Sequence, residues 1–325
     1  GGAAAVAGPL AGLVGGAAVL LGVAAVELAV AFAGAAVVVD GVGAVPALRR
    51  GAGLATERPG AFLLYGGVAA AVLVGTGIVG SVLAAAGAPR LLGVVTALLV
   101  VPGLDGVRVA LYAEREPGAL AAPTHGIRIR VTAALRNGLA AVVRFVRDHP
   151  GANGGSAAVL TAGAALGWLA VAPYRLSLSP EAGEMGAAFG AVPVGPFLNI
   201  AANNWLVAAG TGYGGLALGL PAATALLFNG ALVGVVAGAV DATVVAALVV
   251  PHGVVELPAI VVAGGLGLHL GRVGTAALRG RRDAAAVGAA LGEALRVLVG
   301  LGVVLVVASG IETVVTPRIA AAVLG

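Results

Sequence analysis

Residues 242–271 read "ATVVAALVVPHGVVELPAIVVAGGLGLHLG". About 20 apolar residues cross a bilayer, so this run of roughly 30 is too long for a single crossing and too apolar for a soluble domain. Pro251 cannot sit comfortably inside a helix, but it starts one well at the first turn. The stretch therefore predicts a short apolar segment at 242–250, a break, and a new helix from Pro251. His252 and Glu256 are then one turn apart on a single face of that helix. Ionisable groups in apolar surroundings are costly, so this pair asks for a reason.

The rest of the chain has the same character. Of 325 residues, 60% are hydrophobic and 10% charged, far from the composition of a water-soluble domain. The alternating pattern of a transmembrane β-barrel is absent. The fold class expected is an all-α polytopic transmembrane bundle of about eight spans, with a broken helix before Pro251. The spans are near 9–38, 61–86, 90–112, 154–174, 198–217, 218–240, 247–271 and 289–316. The first is either one tilted helix or a tight hairpin at "GLVGG". There is no cysteine, which excludes disulfides, thiolate metal sites and cysteine nucleophiles. No cofactor is implied, and no signal peptide is evident.

All 18 basic residues are arginine. On the expected topology fifteen fall on one side of the membrane, and Arg90, Arg175 and Arg318 fall on the other. By the positive-inside rule the protein is a multi-pass cell-membrane protein with both termini outside. Residues 126–150, "GIRIRVTAALRNGLAAVVRFVRDHP", set Arg128, Arg136, Arg144 and Arg147 beside Ile129, Val131, Leu135, Leu139 and Val143. This is the pattern of a basic amphipathic helix on the cytoplasmic membrane surface. Nucleic acid is not an expected partner, since the stretch has one aromatic residue and no recognition motif. Three regions follow: 1–125 with about three spans, 126–150 as the surface helix, and 151–325 with five spans. Glu181 and Glu184 fall in a short external loop, and Glu27 is a lone carboxylate in the first span.

The second half holds nearly all the intramembrane polar groups. The topology brings Asn203, Asn204, Asn229, His252, Glu256, Glu312 and Thr316 to the outer half of the bilayer from four helices. The polar cluster expected is Asn204, Asn229, His252, Glu256 and Glu312. One histidine and two carboxylates are acceptable metal ligands in type, but no metal is assigned, because H-E-x-x-H is missing. No Ser–His pair or nucleophile elbow accompanies Ser309, so no catalytic residue is assigned. His269 is placed near the inner end of its span. Gly230, Gly234 and Gly238 form a small-residue ridge, with Gly264, Gly267 and Gly271 as its expected partner. Such glycine-rich faces also allow self-association.

Four stretches then resemble the stage II sporulation protein M family of integral membrane proteins: "ANNW" (202–205), "LFNGALVG" (227–234), "VVPHGVVELPAIVVAGGLGLHLG" (249–271) and "SGIETVVTP" (309–317). The resemblance covers roughly 150–318 and leaves the first 125 residues outside it. Its matching positions are Asn204, Asn229, Gly230, Pro251, His252, Gly253, Glu256, Glu312 and Pro317. It implies a membrane scaffold that recruits and holds envelope enzymes, with other membrane or envelope proteins as partners; it carries no catalytic assignment. Beside that scaffold or assembly reading stand two others. One is a transporter of a small solute, ion or lipid, lined by the outer-leaflet cluster. The other is an intramembrane enzyme with a metal at His252, Glu256 and Glu312.

Overall fold

The computed structural model describes residues 15–16, 26–27, 30–113, 126–174 and 194–324. Most of span 9–38 with its "GLVGG", together with Arg115, Arg175, Glu181 and Glu184, lies outside the described residues; Glu27 is described and exposed. Regular structure is helical, with no β-strand among the described residues. In an apolar chain this follows from backbone chemistry, because a helix satisfies every N–H and C=O within its own segment.

Twelve helical elements are described: α1 Ala33–Asp40, α2 Ala44–Glu57, α3 Pro59–Ala85, α4 Leu91–Tyr112, α5 Ile127–Asp148, α6 Pro150–Val171, α7 Val194–Gly214, α8 Leu220–Ala239, α9 Ala242–Leu248, α10 Val250–Leu278, α11 Ala284–Gly310 and α12 Thr316–Leu324. Six stretches of helix are long and apolar enough to cross a membrane: Pro59–Ala85, Leu91–Tyr112, Pro150–Tyr174, Leu220–Ala239, Val250–Leu278 and Ala284–Leu324. The expected count of eight was thus approximate. The span expected at 198–217 falls in α7, whose Asn199, Asn203 and Asn204 lower its hydropathy. The span expected at 9–38 is mostly undescribed.

The chain forms two compact units, residues 1–82 with 95–123, and residues 83–94 with 124–325. In the first, Phe32, Leu54 and Tyr65 are buried together, and the edge of the Phe32 ring meets Tyr65 with centroids 5.3 Å apart. Arg108 donates to the Tyr65 hydroxyl at 2.6 Å, and Tyr112 donates to Asp40, which also pairs with Arg50.

The second unit is built around α10 and α11. Trp205, Leu266, Leu270, Val297, Leu298, Leu301 and Leu305 make its core, and the Trp205 indole N–H donates to the Leu298 carbonyl at 2.9 Å. Three hydroxyl groups on these apolar helices are satisfied locally: Thr275, Ser309 and Thr313 each donate to the carbonyl four residues earlier, whereas those of Ser156 and Thr316 are buried without a partner among the described residues. Asp283 caps α11 by accepting the Ala286 N–H at 2.8 Å. Between α7 and α8 the chain turns tightly, with Leu218 at φ 61° and Gly219 at φ 79°; only the second is conformationally free there.

The glycine ridge packs differently from the expectation. Gly230 and Gly234 lie against the backbone of Leu160 and Ala164 on α6, while Gly163 and Gly167 of α6 lie against Leu227 and Ala231 of α8. The ridge thus zips α8 to α6, with small residues contributed from both sides. Gly264, Gly267 and Gly271 of α10 instead receive Ser156 and Leu226, Ala222 and Thr211, and the Gly219 backbone. Both faces are therefore occupied by helices of the same chain.

Helix α5 carries the arginine-rich segment. Its Gly138 meets the Gly300 backbone of α11, and Ala141 and Phe145 are buried beside it. Ile129, Val131, Leu135, Leu139, Val143 and Val146 remain exposed on its other sides. The helix is docked along α11 by a glycine contact that the charge pattern does not reveal.

Candidate functional site

Helix α9 ends at Leu248 and α10 begins at Val250, so the break falls at Val249, two residues ahead of Pro251. Proline has no N–H for the Ala247 carbonyl, and Pro251 occupies the first turn of α10, where that donor is not required. The flanking bonds are intact: Val249 donates to Val245, and Gly253 to Val249, each at 2.9 Å. His252 and Glu256 follow on consecutive turns. Asp241 starts the short α9 by accepting the Thr243 N–H at 2.8 Å; that bond holds its carboxyl below the ordinary aspartate range.

Glu312 arrives on a second irregularity. Residues Ile311–Val315 form one π-helical turn between α11 and α12, in which Thr316 donates to Ile311 five residues back. Pro317 explains it, because it cannot donate to Thr313 and its ring crowds that carbonyl. The turn Thr96–Val100 stands in the same relation to Pro102, with Val101 donating to Thr96.

Donor atoms from His252, Glu256 and Glu312 all lie within 4.8 Å of one another. They line a cavity of about 350 Å³ together with Arg90, Asn199, Ile200, Asn203 and Asn204. The Arg90 backbone N–H donates to the Asn199 side-chain oxygen at 3.0 Å, and the Asn203 amide donates to Asn204 at 3.3 Å. The His252 Nδ1 is buried with no hydrogen-bond partner among the described residues. A buried polar atom of this kind costs free energy of ~1–3 kcal/mol unless something binds to it.

Of the five residues expected to cluster, four line this cavity: Asn204, His252, Glu256 and Glu312. Asn229 does not, for its amide donates to the Ala225 carbonyl of its own helix at 2.8 Å. Gly230 and Gly234 belong to the α6–α8 contact, and Pro251 and Pro317 to the two irregularities. Beside Gly253, the nearest atom beyond its own turn is a Val249 methyl. Two polar lining residues were not anticipated. Arg90 and Asn199 sit at the starts of the expected spans 90–112 and 198–217; the available signal was that Arg90 is one of only three arginines on the minority side.

His269 has other company. Its ring meets His149 at 4.2 Å between centroids and Phe145 at 6.0 Å, at the opposite end of α10 from His252.

Long apolar helices, an apolar exterior and a polar cavity within a glycine-packed unit define an integral membrane protein of the polytopic α-helical class. Residues 156–317 match the family model described as Stage II sporulation protein M, and this region, just under half of the chain, belongs to that family. No curated protein and no solved structure matches the chain.

Proposed function

We propose that the second unit binds a small cation in the His252–Glu256–Glu312 cavity and moves it through the membrane. The observation that carries this reading is the orphaned, buried Nδ1 of His252 beside two carboxylates. Among the described residues His149, Asn153, Ser156 and Thr316 also hold a buried polar atom without a partner, but only the His252 nitrogen stands with two carboxylates whose donor atoms lie within 4.8 Å of its ring. Two carboxylates face one arginine in the cavity, so a bound cation is the ligand that lets both ionise. Helix breaks at binding sites are a recurrent transporter device, since they free backbone groups and allow rearrangement.

The scaffold role implied by the family would place partner proteins on the outer faces of the bundle, and it gives the cavity no task. The arginines of α5 and its exposed apolar side chains suit the anionic cytoplasmic membrane surface.

The test is reconstitution of the full chain into vesicles, with entrapped dyes reporting proton, sodium and manganese entry. The wild type should pass at least one of these faster than protein-free vesicles, and Glu256→Gln should abolish the difference. Equal leakage in all three preparations refutes the reading.

A further inference from the structure

We infer that His252, Glu256 and Glu312 form a binding site for a divalent transition cation of the zinc or manganese class. This rests on the cation-handling reading of the same cavity and names its ligand.

Three features point to it. The donor set is one imidazole and two carboxylates, the mixture that suits zinc and manganese better than calcium or a monovalent ion. The spacing is near that of a site: bonds of about 2.1 Å place neighbouring donors roughly 3.0–3.4 Å apart, and these donors already lie within 4.8 Å of one another. Two donors come from adjacent turns of one helix, and the third from the π turn facing them, so the set is held by two separate backbones. The carboxamides of Asn203 and Asn204 and the Asn199 side chain line the same cavity and offer further oxygen ligands or outer hydrogen bonds. Arg90 stands at its edge and limits the positive charge that can be added. A 2+ ion bound to two carboxylates leaves no net charge on that inner set, and Arg90 then favours an anionic or water ligand at any open position.

Imidazole coordinates through a deprotonated ring nitrogen, so binding must weaken as pH falls. The groups facing the site are His252, Glu256, Glu312 and Arg90, and each of the first three must shed its proton to ligate.

The experiment uses the full chain in detergent, stripped with chelator and dialysed against zinc or manganese, with bound metal counted by elemental analysis. The wild type should hold one ion per chain, and His252→Ala, Glu256→Gln and Glu312→Gln should each lower affinity at least tenfold. Asn229→Ala, outside the cavity, should bind as the wild type does. Should a site variant fail to fold, thermal protection of the wild type by the same ions supplies the second reading. Binding that is absent in the folded wild type, or equal in all variants, overturns the site. If proton or sodium flux dependent on Glu256 persists without metal binding, the metal inference falls and the transport reading stands. Metal binding without flux of any cation supports the site and removes transport.

Discussion

Gly234→Ala measures how much the α6–α8 contact depends on the missing side chain. A Cβ at this position would overlap the Ala164 carbonyl oxygen and lie 2.7 Å from its carbonyl carbon and 2.8 Å from the Trp168 nitrogen. All three are backbone atoms, so no rotamer change can relieve the clash and the two helices must separate. Inserting a methyl into a tight contact costs about 1–3 kcal/mol. Replacing glycine in a helix also gains up to ~1 kcal/mol of intrinsic propensity. Gly210→Ala provides the subtraction: it lies in helix α7 of the same unit, and a Cβ there meets nothing within 4 Å. Both variants share the propensity gain, so their difference isolates the overlap at about 1–3 kcal/mol. The assay is thermal unfolding of the full chain in detergent, followed by intrinsic fluorescence. Both tryptophans of the protein are in the second unit, and Trp168 lies against Gly238 within the contact itself. Gly234→Ala should melt a few degrees to about 10 °C below Gly210→Ala, taking ~2–4 °C per kcal/mol for a unit of this size. Equal melting temperatures would refute the close-packing account of this helix pair.

Trp205→Phe removes the indole donor to Leu298 and part of a buried ring. The bond is worth about 1 kcal/mol and the lost volume a similar amount, so the same assay should show a fall of several degrees. The carboxyl of Asp241 has its pKa lowered by the Thr243 N–H, so its cap strengthens folding above the ordinary aspartate pKa and is lost as pH falls through the lowered value. Stability should therefore decline in acid, below roughly pH 4. Asp241→Asn keeps a capping oxygen without a titrating group, and its melting profile between pH 6 and 3 should be flatter; parallel profiles would show that the cap does not titrate.

Much of the second unit could be read from the chain because its signals are local. A proline in an apolar run has only a few tolerable positions, so "VVPHG" predicts a helix restart, and i, i+4 spacing places His252 and Glu256 together. Contacts between helices are set by which small-residue faces meet, and several faces here offer glycine. Gly230 and Gly234 had candidate partners on both α6 and α10, and one-dimensional spacing cannot choose between them. Asn229 shows the same limit from the polar side. Its position along the helix matches the depth of the cluster, but its rotation turns it toward Ala225. Arg90 was hidden because its role depends on the short segment 83–94 packing against the start of α7, where Gly195 admits the Ala86 carbonyl and Gly93 receives Leu206.

The two irregular backbones and the cluster belong to one physical argument. A regular helix presents each side chain at a fixed angle, so two long helices seldom aim three ionisable groups at one point. The break ahead of Pro251 and the π turn ahead of Pro317 each alter that angle just where a residue of the proposed site sits, His252 in one case and Glu312 in the other. The turn Thr96–Val100 is the internal comparison. It has the same π geometry and the same proline offset, yet its sequence, TALLV, holds no ionisable group. Proline alone therefore produces the wide turn and does not make a site. At Pro317 the wide turn coincides with a carboxylate, and across the cavity a histidine and a second carboxylate begin a new helix. Architecture by itself gives no reason for that coincidence, whereas the proposed cation would: it would supply the partner that the His252 nitrogen lacks and let both glutamates ionise.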